Sequence, residues 1–222
     1  MSEAPPFASL SPIEARVLGV LVEKRHTVPD TYPLTLNSLV AGCNQKTSRD
    51  PVMELTEADV RAALDALRAR SMVIESSGGR AMRYEENARR VLGVPSESVA
   101  LLATLMLRGP QTSAELRANC ERIHRFSDLS ATEGYLDELA ARVPHAYVVR
   151  LARQPGSRES RWAHLLCGEP DEPRAPAWTP GAAPVQPAAA SRVGEDAFDA
   201  LVARVDRLEA ELAALRERLG DA

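Results

Sequence analysis

The densest run of hydrogen-bonding side chains in the sequence is Asn44-Gln45-Lys46-Thr47-Ser48-Arg49. Asn and Gln amides can fork onto adenine, and Lys and Arg reach guanine edges or phosphate oxygens, so this run has the chemistry of nucleic-acid contact. The same residue types also pin loops by bonding to nearby backbone, and that reading stands beside the first. Arg117, Arg122, His124 and Arg125 form a comparable basic cluster further along, and Arg80, Arg83, Arg153, Arg158 and Arg161 flank two candidate hairpin turns. Catalysis has far less to draw on. There is no GxSxG, GxGxxG, P-loop or HExxH. The histidines (His26, His124, His145, His164) lack metal-ligand spacing, and adjacent carboxylates such as Glu85-Glu86 read as solvated. The expectation is a non-enzyme without metal or cofactor. Three cysteines (Cys43, Cys120, Cys167) with no CxxC argue against a disulfide framework and suit a reducing cytoplasm.

The elements that must hold these residues repeat one plan twice. Ser11-Pro12-Ile13-Glu14 is a capping box with proline at the first helical position. Ile13, Val17, Leu18, Val20 and Leu21 then give an apolar face on a helix ending near Arg25. A short helix fits Thr35 to Cys43, and Thr56 caps a third carrying Val60, Ala63, Leu64 and Leu67. Met72 to Ser76 and Ala81 to Glu85 are strand-like around Ser77-Gly78-Gly79-Arg80. The second copy opens with a helix from Ser96 to Leu107, broken by Gly109-Pro110. A short helix fits Ser113 to Cys120, and Ser130 caps a third. Strand-like Tyr147 to Arg153 and Arg161 to Leu166 then flank the turn at Gln154-Pro155-Gly156-Ser157. Leu39, Ala41 and Cys43 recur at the same offsets as Leu116, Ala118 and Cys120, which marks an internal repeat and makes both cysteines core residues.

The chain has 222 residues, 45% of them apolar, and a formal net charge of −4. Lys and Arg exceed Asp and Glu by one between Ser11 and Leu92 and by two between Met106 and Leu166, whereas acids exceed bases by five from Cys167 onward. A near-neutral body predicts modest non-specific nucleic-acid affinity. No stretch is long and apolar enough for a membrane span, and no secretory signal is evident. Six prolines between Gly168 and Val193 predict an extended linker. Phe198, Leu201, Val205, Leu208, Leu212, Leu215 and Leu219 then recur at steps of three and four, the pattern of a short coiled coil that would make the chain a homodimer.

Three longer runs carry a resemblance. Tyr32-Pro-Leu-Thr-Leu-Asn-Ser-Leu39 with Cys43-Asn-Gln-Lys-Thr-Ser-Arg-Asp-Pro51, then Leu107-Arg-Gly-Pro-Gln-Thr112, then Arg153-Gln-Pro-Gly156 with Arg158-Glu-Ser-Arg161, resemble the signature of the bacterial YceH family. The similarity covers about Leu10 to Gly168 and implies tandem winged helices in a cytoplasmic protein, with no biochemical role attached.

The expected fold is mostly α with small β-hairpins (α+β), as two tandem winged helix-turn-helix domains and a C-terminal coiled-coil helix. Its boundaries are a disordered 1–10, winged-helix domains at 11–92 and 93–167, a Pro/Ala-rich linker at 168–193 and the coiled coil at 194–222. DNA-binding regulation is the leading functional expectation, through Asn44 to Arg49 and the arginine clusters. The alternative is a protein-interaction scaffold on the same fold, because both third helices are rich in acids (Glu57, Asp59, Asp65; Glu133, Asp137, Glu138).

Overall fold

The computed structural model describes residues 9–77, 81–154 and 156–170. Its first helix, α1 (Pro12–Thr27), starts where the sequence says it should. The Ser11 hydroxyl accepts from the Glu14 N–H and the Glu14 carboxylate accepts from the Ser11 N–H, closing the capping box. The helix is not one-sided, however. Every residue from Glu14 to Val22 is buried, so α1 is a central helix rather than one with a single apolar face.

The first half continues through a 3-10 turn (Pro29–Thr31), β1 (Leu34–Thr35), α2 (Leu36–Cys43), α3 (Glu57–Ala69), β2 (Val73–Ser77) and β3 (Met82–Glu86). β3 is the middle strand of an antiparallel sheet ordered β1-β3-β2, with Leu34 opposite Tyr84 and Glu75 opposite Tyr84 from the other side. Thr35 caps α2, and Thr56 caps α3 in a capping box with Asp59. A short α4 (Ala88–Leu92), ending on Gly93 in the left-handed region, leads to the second half.

There the order repeats: α5 (Ser96–Arg108), an isolated bridge at Gln111, α6 (Ser113–Cys120), α7 (Leu129–Ala140), β4 (Val148–Arg150) and β5 (Trp162–His164). Gln111 bridges to Trp162 of β5, which also pairs with β4, so the bridge stands where β1 stands in the first half. Two caps differ from expectation. Pro95 takes the cap position of α5 and leaves Ser96 inside the helix. Asp128, whose carboxylate accepts from the Ala131 N–H, caps α7 two residues before Ser130. A carboxylate is the stronger acceptor, so the chain turns helical at the earlier residue.

The repeat read from the sequence is real in the packing, since Leu39, Cys43, Leu116 and Cys120 are all 0% exposed. Burial raises the Cys43 thiol to about 12 and also raises Cys120, so neither is a reactive thiolate. One hydrophobic core runs through both halves, with α1 lying against α5. At Gly19 an added Cβ would sit 3.0 Å from Leu107 Cγ, which shows how closely the two helices approach. The Pro/Ala-rich linker beyond Pro170 and the heptad residues Phe198, Leu201, Val205, Leu208, Leu212, Leu215 and Leu219 lie outside the described residues.

β5 contains a titration trap. The His164 Nδ1 is buried with no hydrogen-bond partner, and burial lowers the imidazole pKa from 6.5 to about 4. The unfolded chain therefore binds a proton that the folded one refuses, and stability falls as pH drops from 6.5 through about 4. The full shift corresponds to about 3 kcal/mol. We expect the melting temperature of His164→Leu to vary less with pH across that window than that of the wild type; parallel curves would contradict this assignment.

Candidate functional site

Two arginines in the core explain how the polar run is held. Arg16 is 1% exposed; its Nη1 donates to the Cys43 carbonyl at 3.2 Å and its Nη2 to the Pro51 carbonyl at 2.6 Å. Arg16 thus ties the end of α2 to the middle of the loop between α2 and α3. Burial first, then the nearby Arg49 charge, lower its pKa from 12.5.

Arg49 enters the same region from within the loop. Its guanidinium donates to both Glu23 oxygens at 3.1 and 2.6 Å, to the Gly42 and Ser48 carbonyls, and to Gln45 Oε1 at 2.9 Å. The Gly42 carbonyl is within reach because α2 lies close on α1: a Cβ at Gly42 would meet Val20 Cγ1 at 2.7 Å. Burial acts to raise the Glu23 carboxyl, but hydrogen bonds and charge from Arg49, with Lys24, hold it below its ordinary value of 4.5. Arg49 is therefore corrected from a candidate DNA contact to a structural ion-pair residue, because its side chain is 0% exposed.

The rest of the run divides. Asn44 is the C-cap of α2 and exchanges two hydrogen bonds with the Leu55 backbone, both at 2.8 Å. Gln45 Oε1 accepts from Lys24 and Arg49. Ser48 sits at φ 61° and its hydroxyl accepts from Arg108 Nη2 at 2.7 Å, while the neighbouring Asp50 N–H donates to the Leu107 carbonyl. Only Lys46 and Thr47 of the six are exposed. Self-pinning thus accounts for Asn44, Gln45, Ser48 and Arg49, and the loop docks on the C-terminus of α5.

The other candidates also separate. Arg83 donates to the Thr31 and Pro33 carbonyls, fastening β3 to the 3-10 turn. Arg117 donates to the Ser127 carbonyl, Arg125 pairs with Glu121 at 2.8 Å, and His124 stands edge-on to Phe126 with centroids 4.7 Å apart. Arg153 and Arg158 are exposed in the β4–β5 connection, and Arg161 is half-buried at the start of β5. Arg80 lies outside the described residues.

What the structure brings together is a cleft of about 380 Å³ between the halves. The last turn of α1 supplies Glu23, Lys24, Thr27 and Val28; the loop supplies Gln45 to Ser48. The end of α5 supplies Thr104, Leu107 and Arg108, while Asn119 at the end of α6 and Arg122 and Ile123 just beyond it complete the wall. Lys24, Lys46, Arg108 and Arg122 face it, with Glu23 the one carboxylate in its lining. Lys46 and Arg122 were legible as candidates; Lys24 and Arg108 were missed, and the signal available was their place in the last turns of the two helices that pack together.

The third helices present the opposite charge. α7 exposes Glu133, Asp137 and Glu138 and carries no Lys or Arg, while on α3 Arg61 pairs with Glu57 and Arg68 with Asp65 and Glu75. Among the described residues there is no His/Cys/Asp/Glu group that could hold a metal, and no helix is long and apolar enough to cross a membrane.

These features define a mostly helical protein with small antiparallel sheets and a basic cleft between two similar halves. The family model described as "Protein of unknown function, DUF480" matches residues 10–157. The chain is 58% identical over 215 residues to a UPF0502 protein of Leptothrix cholodnii, covering 96% of this chain and 94% of the relative. It is 54% identical to a UPF0502 protein of Burkholderia pseudomallei (96% and 88%) and 52% identical to one of Cupriavidus metallidurans (99% and 90%). The chain belongs to this DUF480/UPF0502 family, the YceH-like family that its signature runs resemble.

Arg49→Ala takes the main partner from the half-buried Glu23 and leaves the buried Gly42 carbonyl unsatisfied, and should cost about 3 kcal/mol, measurable by urea unfolding. Lys46→Ala, three residues away and exposed, should stay within about 0.5 kcal/mol. Equal losses in the two variants would overturn this division of the loop.

Proposed function

We propose that the protein is a non-catalytic cytoplasmic regulator built from two winged helices, and that it works by binding protein rather than by reading DNA. The support for winged helices is the order helix, strand, helix, helix, hairpin in each half, with the short strand paired to the returning strand of the hairpin. In a DNA-reading winged helix, the third helix enters the major groove and must bring positive charge to phosphates and forked donors to bases. The observation that carries the reading is the exposed face of α7, where Glu133, Asp137 and Glu138 stand with no cation on the helix. Three carboxylates at a phosphate backbone would oppose association, whereas they suit a basic protein surface.

DNA binding remains the second reading because Lys46 and Arg122 lie together on one cleft and Arg153 and Arg158 are exposed in the second hairpin. Such contacts would grip backbone without choosing sequence. The heptads would bring two copies together and give either activity avidity.

The deciding experiment compares the wild type with Glu133→Gln/Asp137→Asn/Glu138→Gln, a set of surface changes expected to be nearly neutral for stability. Under the scaffold reading, a partner crosslinked in cells to the wild type is lost from the triple variant, and random duplex DNA binds no tighter than about 10 µM at physiological salt. Submicromolar, steeply salt-dependent DNA binding that weakens in Lys46→Ala/Arg122→Ala would replace this reading with the DNA one.

A further inference from the structure

The cleft holds more positive charge than its surroundings use. Lys24, Lys46, Arg108 and Arg122 face it, against the single carboxylate of Glu23. That one carboxylate is shared, since both Glu23 oxygens accept from the buried Arg49 and Oε2 also lies 3.4 Å from the Lys24 Nζ, so it balances one of these charges at most. The last turns of α1, α5 and α6 also meet there, and their carbonyl ends count as about half a negative charge each. Those three ends offset less than two of the four cations, so a net positive charge remains in a concave space.

The volume and the lining narrow what could neutralise it. About 380 Å³ lies within the range of small-ligand pockets and is far too small for a duplex. Guanidiniums from Arg108 and Arg122 match phosphate oxygens bidentately, and the ammonium groups of Lys24 and Lys46 add point charges. Thr47 and Asn119 add polar groups, and Val28, Leu107 and Ile123 offer apolar surface to a carbon skeleton. The cations come in equal number from the two halves, Lys24 and Lys46 from the first and Arg108 and Arg122 from the second.

We propose that this cleft is a binding site for a small phosphate-bearing anion, which bridges the two halves through Lys24 and Lys46 on one side and Arg108 and Arg122 on the other. The site is independent of which macromolecule the protein binds. Its occupant would stabilise the junction between the halves, as any ligand specific to the folded state does.

The test uses the full chain with AMP and inorganic pyrophosphate as probes, at ionic strength held constant with chloride. Thermal unfolding should show a saturable rise of about 5 °C with at least one probe at a hundredfold excess over its Kd. The concentration for half-maximal effect should increase about tenfold or more in Arg122→Ala and in Lys46→Ala. Both residues are exposed, so these variants fold, and their melting temperatures without probe confirm it. The proposal is overturned by the absence of a saturable rise with either probe, or by an equal rise with chloride alone. It is also overturned if the rise is unchanged in both variants, or if only duplex DNA produces it.

Discussion

A guanidinium taken out of water loses several kcal/mol of hydration and must recover it from acceptors held in place. Arg16 recovers part of it from the carbonyls of Cys43 and Pro51, eight residues apart in sequence but drawn to one side chain, while its buried Nε has no hydrogen-bond partner. The end of α2 and the middle of the loop after it are thereby set relative to α1. Arg49 closes the same loop from within, on Glu23 and the Gly42 carbonyl. Neither arginine could be replaced by a hydrocarbon of similar size without leaving buried carbonyls unpaired. The loop so fixed presents Ser48 to Arg108 and the Asp50 N–H to the Leu107 carbonyl, which adds polar links to the packing of α1 on α5 that joins the halves.

Charge is sorted over the body in a way that composition conceals. Acids exposed on α7 and paired arginines on α3 leave the third helices without free positive charge, while Lys24, Lys46, Arg108 and Arg122 outnumber the one carboxylate, Glu23, where α1, α5 and the loop meet. A near-neutral total therefore hides two surfaces of opposite character. The acidic one is the exposed face of a helix; the basic one lines a cleft.

Much of the architecture was legible in the sequence because local chemistry decided it. The capping boxes at Ser11 and Thr56, the break at Gly109-Pro110 and the Leu/Cys repeat of α2 and α6 each state their structure within a few residues. The two-residue β1 and the short α4 carry too little pattern to be seen locally; they exist because β3 and the core are there to receive them. Arg16 was invisible for the opposite reason. An arginine in an apolar helix reads as the solvent edge, and only the fold shows that α1 has no such edge. The loop stands out in the sequence by its polar side chains, whose chemistry is ambiguous there. Asn, Gln, Ser and Arg bond backbone as readily as base edges, and burial decides which.

The internal repeat sharpens the point, because the two halves handle the same carbonyl differently. After α6 the Cys120 carbonyl accepts from the N–H groups of Ile123 and His124, so a short connection satisfies itself before Asp128 starts α7. After α2 the equivalent Cys43 carbonyl accepts from Arg16, and the chain is free to run on from Asn44 to Thr56 before α3 begins. That longer excursion is what carries Lys46 and Ser48 to the end of α5. A buried arginine thus serves the longer loop of one half where backbone alone serves the shorter loop of the other, and the longer loop supplies one wall of the cleft between two otherwise similar units.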